Sequence, residues 1–307
     1  MTMGATGMLG NFEGFDSTFG HWWVDDEGAW NFWGHDRPND PQDRERAEQS
    51  YRRFALHRLG MVQVTLRPGK AAVEFDLHRA DDTALDATVD FFAATACPGG
   101  AELRFFHQAW NIERYRSAAA LARRIDEVRS FRDVVLANTV TTLKRSLSAP
   151  AVVSLRVRDA LRLAEARASK LTLLECAGLI PHLMIYHRED RLGFTHWVSL
   201  YAGSQSGGAW VYGPNWVREA RGRPYQFDEP GRQYSFNVMQ AYAGVLDTGE
   251  PRLDHIRAVI RRPGKDPLWA PYERLLFRAA TEEGEPALCC LSAITQDIAI
   301  PFMRVCA

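Results

Sequence analysis

The stretch QYSFNVMQAYAGVLDTGEPRLDHIRAVIRRPGKDPLWAPYERLLFRAATEEGEPALCCLSAITQ, residues Gln233–Gln296, decides the fold of the second half of the chain. A helix, Arg232–Leu246, is predicted at its start because apolar residues recur there at helical spacing. A Thr-Gly-Glu-Pro turn at 248–251 then ends the helix. Three apolar runs separated by polar turns predict strands at Leu253–Arg261, Trp269–Ala279 and Ala287–Thr295. The stretch therefore predicts a helix followed by a three-stranded antiparallel sheet.

Two further strands are predicted before this stretch. The runs PHLMIYH (Pro181–His187) and FTHWVSLY (Phe194–Tyr201) flank a charged turn and predict a hairpin. An aromatic and glycine-rich segment, Ala202–Gly231, follows the hairpin and predicts short helical pieces around Pro214–Ala220. Residues 178–307 are therefore predicted to form one domain, a five-stranded antiparallel sheet with helices.

This order of elements resembles that of a PAS domain. The residues that carry the resemblance are the Thr-Gly-Glu-Pro turn after the helix and the run Tyr272-Glu273-Arg274-Leu275-Leu276, followed by an acidic glycine turn and an apolar last strand. The sequence resembles PAS-type sensor and regulatory domains of alphaproteobacteria over Ser169–Gln296. The resemblance implies signal transduction, in which a small ligand or a protein partner binds and the response passes through a preceding helix.

The same resemblance implies a ligand site between the sheet and the irregular segment with its helix. The residues expected to line it are aromatic or apolar: Trp197, Tyr201, Trp210, Tyr212, Trp216, Tyr234 and Met239. Apolar walls with a few hydroxyl groups and one arginine suit a small organic ligand, and the alternative is that these side chains fill a core without a cavity. The chain has no flavin-type Asn-Cys-Arg-Phe-Leu motif, and the predicted helix has no histidine to bind haem. The identity of any cofactor is therefore left open.

Residues 131–177 are predicted to form a helical connector between two domains. Apolar residues recur there at heptad spacing: Val157, Leu161, Ala164, Ala168 and Leu171. One interpretation is a helix through which two chains dimerise and a signal is relayed. The other is an amphipathic helix that packs on its own chain, and the spacing alone favours neither.

The first part of the chain predicts a flexible tail, residues 1–20, and a small α/β sandwich, residues 21–130. Four tryptophans, Trp22, Trp23, Trp30 and Trp33, surround an acidic glycine turn and predict a hairpin that covers a hydrophobic surface. A platform on which sugars or bases stack is the alternative.

The remaining elements of this sandwich follow from helical or alternating spacing. They are a helix at Gln42–Leu59, strands at Met61–Leu66 and Ala71–Leu77, a helix that begins at Asp81 or Asp82, a strand at Glu102–His107 and a helix at Ile112–Val128. The order from residue 60 to 130, strand–strand–helix–strand–helix, resembles that of the STAS-type regulatory domain.

Composition and motifs argue against several classes of protein. The formal net charge is −1, without the basic excess that nucleic-acid or anionic membrane surfaces favour. The sequence contains no run of about 18 apolar residues, so no membrane-spanning helix is predicted. The five cysteines form no Cys-x-x-Cys pair, which is typical of reduced thiols in the cytoplasm. His182, His187 and His196 lack the spacing of metal ligands, and no nucleophile elbow or phosphate-binding glycine loop occurs.

Together these observations predict an α+β, non-enzymatic signalling or regulatory protein of the cytoplasm, expected to form a homodimer. Its PAS-like domain would bind a small organic ligand or a protein partner and relay the event through the connector helix to an output protein that the sequence does not identify. One alternative is a ligand-free protein–protein adaptor that binds through the four-tryptophan segment and a sheet edge. The other is an enzyme that uses the histidine- and tyrosine-rich sheet.

Overall fold

The structure is a computed structural model of the whole chain. It describes residues 2–3, 20–33, 41–95, 100–147, 154–167, 171–191, 194–222, 239–262, 264–298 and 300. The chain divides into two compact units: an N-terminal unit of Met1–Asn138 with Pro301–Ala307, and a C-terminal unit of Thr139–Ile300. Each combines helices with a β-sheet, so the protein is of the α+β class.

The N-terminal unit is built on a sheet in the order β1-β3-β2-β4-β5-β6-β7. All its neighbouring strands are antiparallel except β5 and β6, which are parallel. The strands are β1 (Thr2–Met3), β2 (Gly20–Val24), β3 (Trp30–Trp33), β4 (Val62–Arg67), β5 (Lys70–Asp76), β6 (Ala101–His107) and β7 (Ala109–Tyr115).

Within the described residues four helices accompany this sheet: α1 (Pro41–His57), α2 (Asp82–Ala94), α3 (Ala118–Ser130) and α4 (Arg132–Ala137). Helix α2 connects the parallel strands β5 and β6, as a crossover between parallel strands requires. Its first turn is capped by Asp81, whose carboxylate accepts a hydrogen bond from the backbone N–H of Thr83 at 2.7 Å. Ser117 caps α3 in the same way.

Alternation along the strands divides the apolar side chains between the two faces of this sheet. Val64, Val73 and Leu103 belong to the main core with residues of α2 and α3. On the other face, Trp23 packs with Ala55 and Leu56 of α1. The sheet is therefore covered by helices on both faces.

The four-tryptophan segment forms the predicted hairpin. Strands β2 and β3 pair around a turn in which the Asp25 carboxylate accepts hydrogen bonds from the N–H groups of Glu27 and Ala29. Trp22, Trp23 and Trp30 are all buried in the two cores of this unit. These three rings are therefore not available as a stacking platform.

One helix prediction in this unit is wrong. Residues Ala109–Tyr115 form strand β7, whereas a helix was expected from Ile112, so α3 begins only at Ala118. Alternate residues of β7 are buried, which shows the period of a strand rather than that of a helix. The order of elements behind the STAS resemblance, strand–strand–helix–strand–helix, is therefore not the observed one, because β7 follows β6 before the next helix. Thr2–Met3 of the predicted tail pair with β3, and residues 4–19 lie outside the described part of the chain.

The C-terminal unit is built on a fully antiparallel sheet in the order β10-β9-β13-β12-β11-β8. Its strands are β8 (Val140–Arg145), β9 (Leu183–Arg191), β10 (Phe194–Ala202), β11 (Arg252–Ile260), β12 (Leu268–Ala280) and β13 (Pro286–Ile294). The five strands predicted from the sequence are present, but the sheet has six. Strand β8 comes from the region predicted as a helical connector, where Val140, Thr141 and Thr142 are β-branched residues that favour strands.

Helices lie on both faces of this sheet. Helix α5 (Leu155–Arg167) packs against β12 and β13 on one face. The other face carries α6 (Gly207–Tyr212), α7 (Pro214–Glu219) and α8 (Tyr242–Thr248). Of the helix predicted over Arg232–Leu246, residues 232–238 lie outside the described part, and the described α8 ends at Thr248. Gly249 follows in the left-handed conformation, φ 73°, which glycine adopts at helix ends without strain.

The heptad seam of the connector packs on its own chain. Val157, Leu161 and Ala164 are buried on α5 in one core with the sheet residues Leu275 and Phe277. Leu171 is buried in the same core but lies beyond the end of α5, where its carbonyl accepts a hydrogen bond from the Ala280 N–H at 2.8 Å. Ala168 lies outside the described residues. The apolar face of α5 is thus buried against the sheet of the same chain. Any dimer contact of α5 would therefore use other residues.

None of the helices in the described part of the chain has the length and apolar character needed to cross a membrane.

Candidate ligand site on the C-terminal sheet

An ion pair lies at the centre of the sheet face covered by α6, α7 and α8. Asp254 of β11 and Arg274 of β12 are directly opposite each other in the strand register. The guanidinium Nη2 of Arg274 donates a hydrogen bond to Oδ2 of Asp254 at 2.7 Å. Both side chains are almost completely inaccessible to solvent.

A second arginine shares the same carboxylate. Arg252 lies two residues before Asp254, so the two side chains project from the same face of β11. Its Nε donates to Oδ1 of Asp254 at 2.9 Å, while about a third of the Arg252 side chain stays exposed. Since each oxygen of Asp254 accepts from one guanidinium, the group carries one negative and two positive charges.

Aromatic rings form the wall beside this group. Tyr242 of α8 lies with its ring centroid 5.7 Å from the guanidinium carbon of Arg274, a cation–π distance. The same ring packs against Trp197 of β10 at 5.3 Å and Tyr186 of β9 at 5.5 Å between centroids. Tyr242 thus covers the guanidinium of Arg274 on the side of the sheet where α8 lies.

Neighbouring groups keep Arg274 charged although it is buried. Burial disfavours the charged guanidinium of Arg274, but the acidic groups around it, Tyr242 and Asp254 foremost, outweigh burial and raise its pKa. On β13, burial raises the pKa of the Cys290 thiol, and Arg274 opposes that shift. The site therefore combines a permanent cation with a neutral thiol and aromatic rings.

The structure does not bring all the predicted ligand residues together. Trp197 is buried in the core around Tyr242, and Trp216 and Met239 pack against that core while partly exposed. Trp210 and Tyr212 on α6 are each 40% exposed, with the guanidinium of Arg262 5.2 Å from the Trp210 ring. Tyr234 lies outside the described residues.

Tyr201 does not share the face of Trp197. A β-bulge shifts the pairing of β10 with β9 between Ser199 and Tyr201, so that Tyr201 lies opposite Ile185. Ile185 belongs to the core on the α5 side, and Tyr201 is 37% exposed. Regular alternation would have placed Tyr201 with Trp197, and the bulge reverses its direction.

One arginine was predicted in the site from the sequence, but the groups that form its centre were not. Arg252, Asp254, Arg274, Tyr242 and Cys290 were all absent from the predicted lining. Within the run Tyr272–Leu276, alternation places Arg274 on the same face as two apolar residues, which is a signal of a buried charge. Its partner Asp254 becomes visible only once the register of β11 and β12 is known.

A second polar pair lies on the opposite face of the same two strands. His255 and Glu273 are also direct neighbours in the register, and their Nε2 and Oε1 atoms are 3.3 Å apart. Oε2 of Glu273 accepts a hydrogen bond from the backbone N–H of Ser154 at 2.6 Å, immediately before α5 begins. A carboxylate at this position satisfies and stabilises the amino end of a helix.

The histidines weighed as metal ligands do not converge. His187 is hydrogen bonded to Glu189 at 2.7 Å, whereas His196 lies exposed on β10. Burial, aided by the charge of Arg156, lowers the pKa of His182. Among the residues that the structure describes, no group of three histidine, cysteine or carboxylate side chains is arranged to hold a metal ion.

No protein-family model matches this chain, and comparison with curated proteins gives no match. The interpretation of the site therefore depends on its own geometry. That geometry is a buried, doubly cationic group with one carboxylate, enclosed by aromatic side chains between a sheet and three short helices.

Proposed function

We propose that the C-terminal unit is a PAS-like sensor domain of a non-enzymatic regulatory protein, and that it binds a small organic anion on the helix-covered face of its sheet. The order of its described elements supports this: β9 and β10, the short helices α6 and α7, helix α8, and then β11, β12 and β13. This is the order on which the resemblance was based. Strand β8 is an addition at the edge beside β11.

The charges around Arg274 support an anionic ligand. Asp254 balances one of the two guanidinium groups that bind it, so a carboxylate or phosphate group would complete the charge balance at the exposed side of Arg252. Guanidinium groups bind such anions with two parallel hydrogen bonds. The rings of Tyr242 and Trp197 would contact the apolar part of the same ligand.

The two polar pairs on β11 and β12 offer a physical route to α5. Asp254 and His255 are consecutive on β11, and Glu273 and Arg274 are consecutive on β12. A ligand that draws Arg274 away from Asp254 would shift the backbone pairing of β11 with β12. The same strand, β12, carries Glu273, whose carboxylate accepts the hydrogen bond from Ser154 at the start of α5. Ligand binding would thus act on the amino end of α5, and a relay requires that this end adopt a second arrangement when the ligand is bound.

The experiment that tests this proposal is ligand binding by the freshly purified full chain. Native mass spectrometry would detect a co-purifying anion, and a thermal-shift series of small carboxylates and organic phosphates would find others. We expect Arg274→Met to abolish the shift, whereas Arg218→Met, an exposed arginine on α7, should keep it. Retention of full binding by a folded Arg274→Met protein would refute the anion site.

The adaptor alternative predicts a different outcome of the same experiment. No bound molecule and no thermal shift with any anion would favour it. The four-tryptophan segment does not support it, because Trp22, Trp23 and Trp30 are buried. The exposed rings of Trp210 and Tyr212 would be the surface to test in that case.

A further inference from the structure

Histidine and aspartate form a separate pair in the N-terminal unit. His57 is the last residue of α1, and Asp76 is the last residue of β5. The Nδ1 of His57 donates a hydrogen bond to Oδ2 of Asp76, and the two atoms are 2.6 Å apart. The other oxygen, Oδ1, accepts from the backbone N–H of His78 at 2.9 Å, so both oxygens of the carboxylate are held in place.

The hydrogen bond to Asp76 determines which nitrogen of His57 is reactive. Because the carboxylate accepts, Nδ1 carries the proton and the neutral imidazole has its lone pair on Nε2. No described residue forms a hydrogen bond with Nε2, and the His57 side chain is 31% exposed, against 7% for Asp76. A nucleophilic nitrogen therefore faces solvent while its opposite side is anchored.

Aromatic rings restrict the orientation of this imidazole. Phe106 meets it edge to face, with ring centroids 5.3 Å apart, and Trp110 lies at 6.1 Å. These contacts and the bond to Asp76 limit rotation of the ring. An oriented ring loses less entropy when it attacks an electrophile than a freely rotating one.

Two arginines lie close to His57 in the sequence. Arg52, also on α1, forms an ion pair with Glu74, which lies two residues before Asp76 and therefore on the same face of β5. The Arg52 side chain stays 41% exposed, and the exposed Arg58 follows His57 directly. Guanidinium groups bind phosphoryl oxygens, so these two arginines are the cations that an incoming phosphoryl group would meet on this part of the surface.

We propose that His57 is a phosphoryl-acceptor site and that its Nε2 is phosphorylated by donors of the phosphoramidate class, which includes a phosphohistidine of another protein. The lone pair of Nε2 attacks phosphorus, the N–P bond of the donor breaks, and the donor nitrogen leaves with the electron pair of that bond. With phosphoramidate itself in its zwitterionic form, ammonia leaves and no further proton is required. The product is an Nε2-phosphorylated imidazolium whose Nδ1 proton remains on His57, hydrogen bonded to Asp76.

The role of Asp76 in this step is electrostatic. The ring gains positive charge as the N–P bond forms, and the adjacent carboxylate stabilises that charge. Asp76 also holds the tautomer in which Nε2 is free to attack, as carboxylates do for catalytic histidines. Asp76 is thus a positioning residue and His57 the reacting one.

The first test uses the unaltered full-length protein and potassium phosphoramidate as the phosphoryl donor. Peptide mass spectrometry at neutral pH would follow the acid-labile mass increase of one phosphoryl group on each histidine. His196 is the internal control, because it is more exposed and is hydrogen bonded to no carboxylate among the described residues. We expect His57 to be labelled about tenfold faster than His196 or more, and equal or slower labelling of His57 would overturn the proposal.

The second test uses two variants checked for folding by their urea unfolding curves. His57→Gln should lose the label at this peptide while His196 is labelled at the unchanged rate. Asp76→Asn should slow labelling of His57 by roughly tenfold to a hundredfold, the effect of losing a charge-assisted hydrogen bond. A folded Asp76→Asn protein that is labelled at the original rate would contradict the role of Asp76. If this variant does not fold, the comparison of His57 with His196 in the unaltered protein still decides the proposal.

Discussion

Asp254 and Arg274 lie directly opposite each other on β11 and β12, and their side chains meet at 2.7 Å in the interior of the C-terminal unit. Their neighbours His255 and Glu273 form the corresponding pair on the other face of the same strands. The candidate ligand site and the start of α5 therefore lie on opposite faces of the same two paired strands.

Removal of the buried carboxylate should destabilise the C-terminal unit strongly. Asp254→Asn would leave the guanidinium of Arg274 buried without its counter-charge, and we expect the free energy of unfolding to fall by roughly 3–5 kcal/mol. Asp247→Asn is the matched control, since Asp247 is 56% exposed and pairs with Arg188 at the surface. That change should cost less than about 1 kcal/mol. Urea unfolding would measure both, and equal effects would argue against the buried pair.

The hydrogen bond between Glu273 and Ser154 should protect the first turn of α5. In Glu273→Ala the N–H of Ser154 loses its acceptor and the helix end loses an adjacent negative charge. We expect faster hydrogen–deuterium exchange over Ser154–Arg158, measured by mass spectrometry. Glu282→Ala, at an exposed turn, should leave exchange there unchanged. Unchanged exchange in both variants would remove the proposed connection between the sheet and α5.

Two leucines of α5 should differ sharply in their contribution to stability. Leu161 is 4% exposed against the sheet, whereas Leu155 is 70% exposed. Leu161→Ala should lower the free energy of unfolding by about 2–5 kcal/mol through the cavity that it leaves. Leu155→Ala should change it by less than about 0.5 kcal/mol. Similar losses in the two variants would show that α5 does not pack as described.

The same pair of leucines bears on the proposed homodimer. A charge at Leu161 would disrupt the core of the unit itself, so its effect on association would be uninformative. Leu155→Glu instead changes an exposed position on α5. If two chains associate through α5, light scattering should find a dimer in the unaltered protein and weaker association in Leu155→Glu. A monomer at all concentrations would refute the dimer.

Acidification should destabilise the N-terminal unit through His107. Burial lowers the pKa of His107 from its ordinary value of 6.5, the hydrogen bond to the Asn138 carbonyl opposes this, and the neighbouring His78 adds to the lowering. Because the unfolded chain then binds the proton more readily, stability is complete above about pH 6.5 and declines as the pH falls below that value.

Unfolding of the unaltered protein and of His107→Asn, measured across this range, gives the test. The variant should lose part of the pH dependence of the unaltered chain. An identical slope in the two proteins would contradict the assignment to His107. His107→Asn should also have the lower stability at neutral pH, since it loses the hydrogen bond between Nε2 and the Asn138 carbonyl, an N–O distance of 3.2 Å.

The sequence alone determined the elements whose signals are local. The strands around the Thr-Gly-Glu-Pro turn and the final acidic glycine turn lie within one residue of their predicted bounds, because turn residues end strands wherever the rest of the chain lies. The helix start at Asp81 or Asp82 was predicted for the same reason, and the structure has Asp81 as the cap. The hairpin at Trp22–Trp33 also follows from its own turn.

The tertiary structure decided whatever depends on a distant partner. Strand β7 was predicted from Ile112 as the start of a helix, because its buried alternate positions include the polar residues Asn111 and Glu113, which give no apolar strand period in the sequence. Pairing with β6 is what makes this segment a strand. The apolar residues Val157, Leu161 and Ala164 had two interpretations from the sequence, and only the structure shows that they pack on the sheet of their own chain. The candidate site belongs to this second class. Arg252, Asp254 and Arg274 are ordinary charged residues in sequence, and only the register of β11 against β12 brings them to one buried carboxylate.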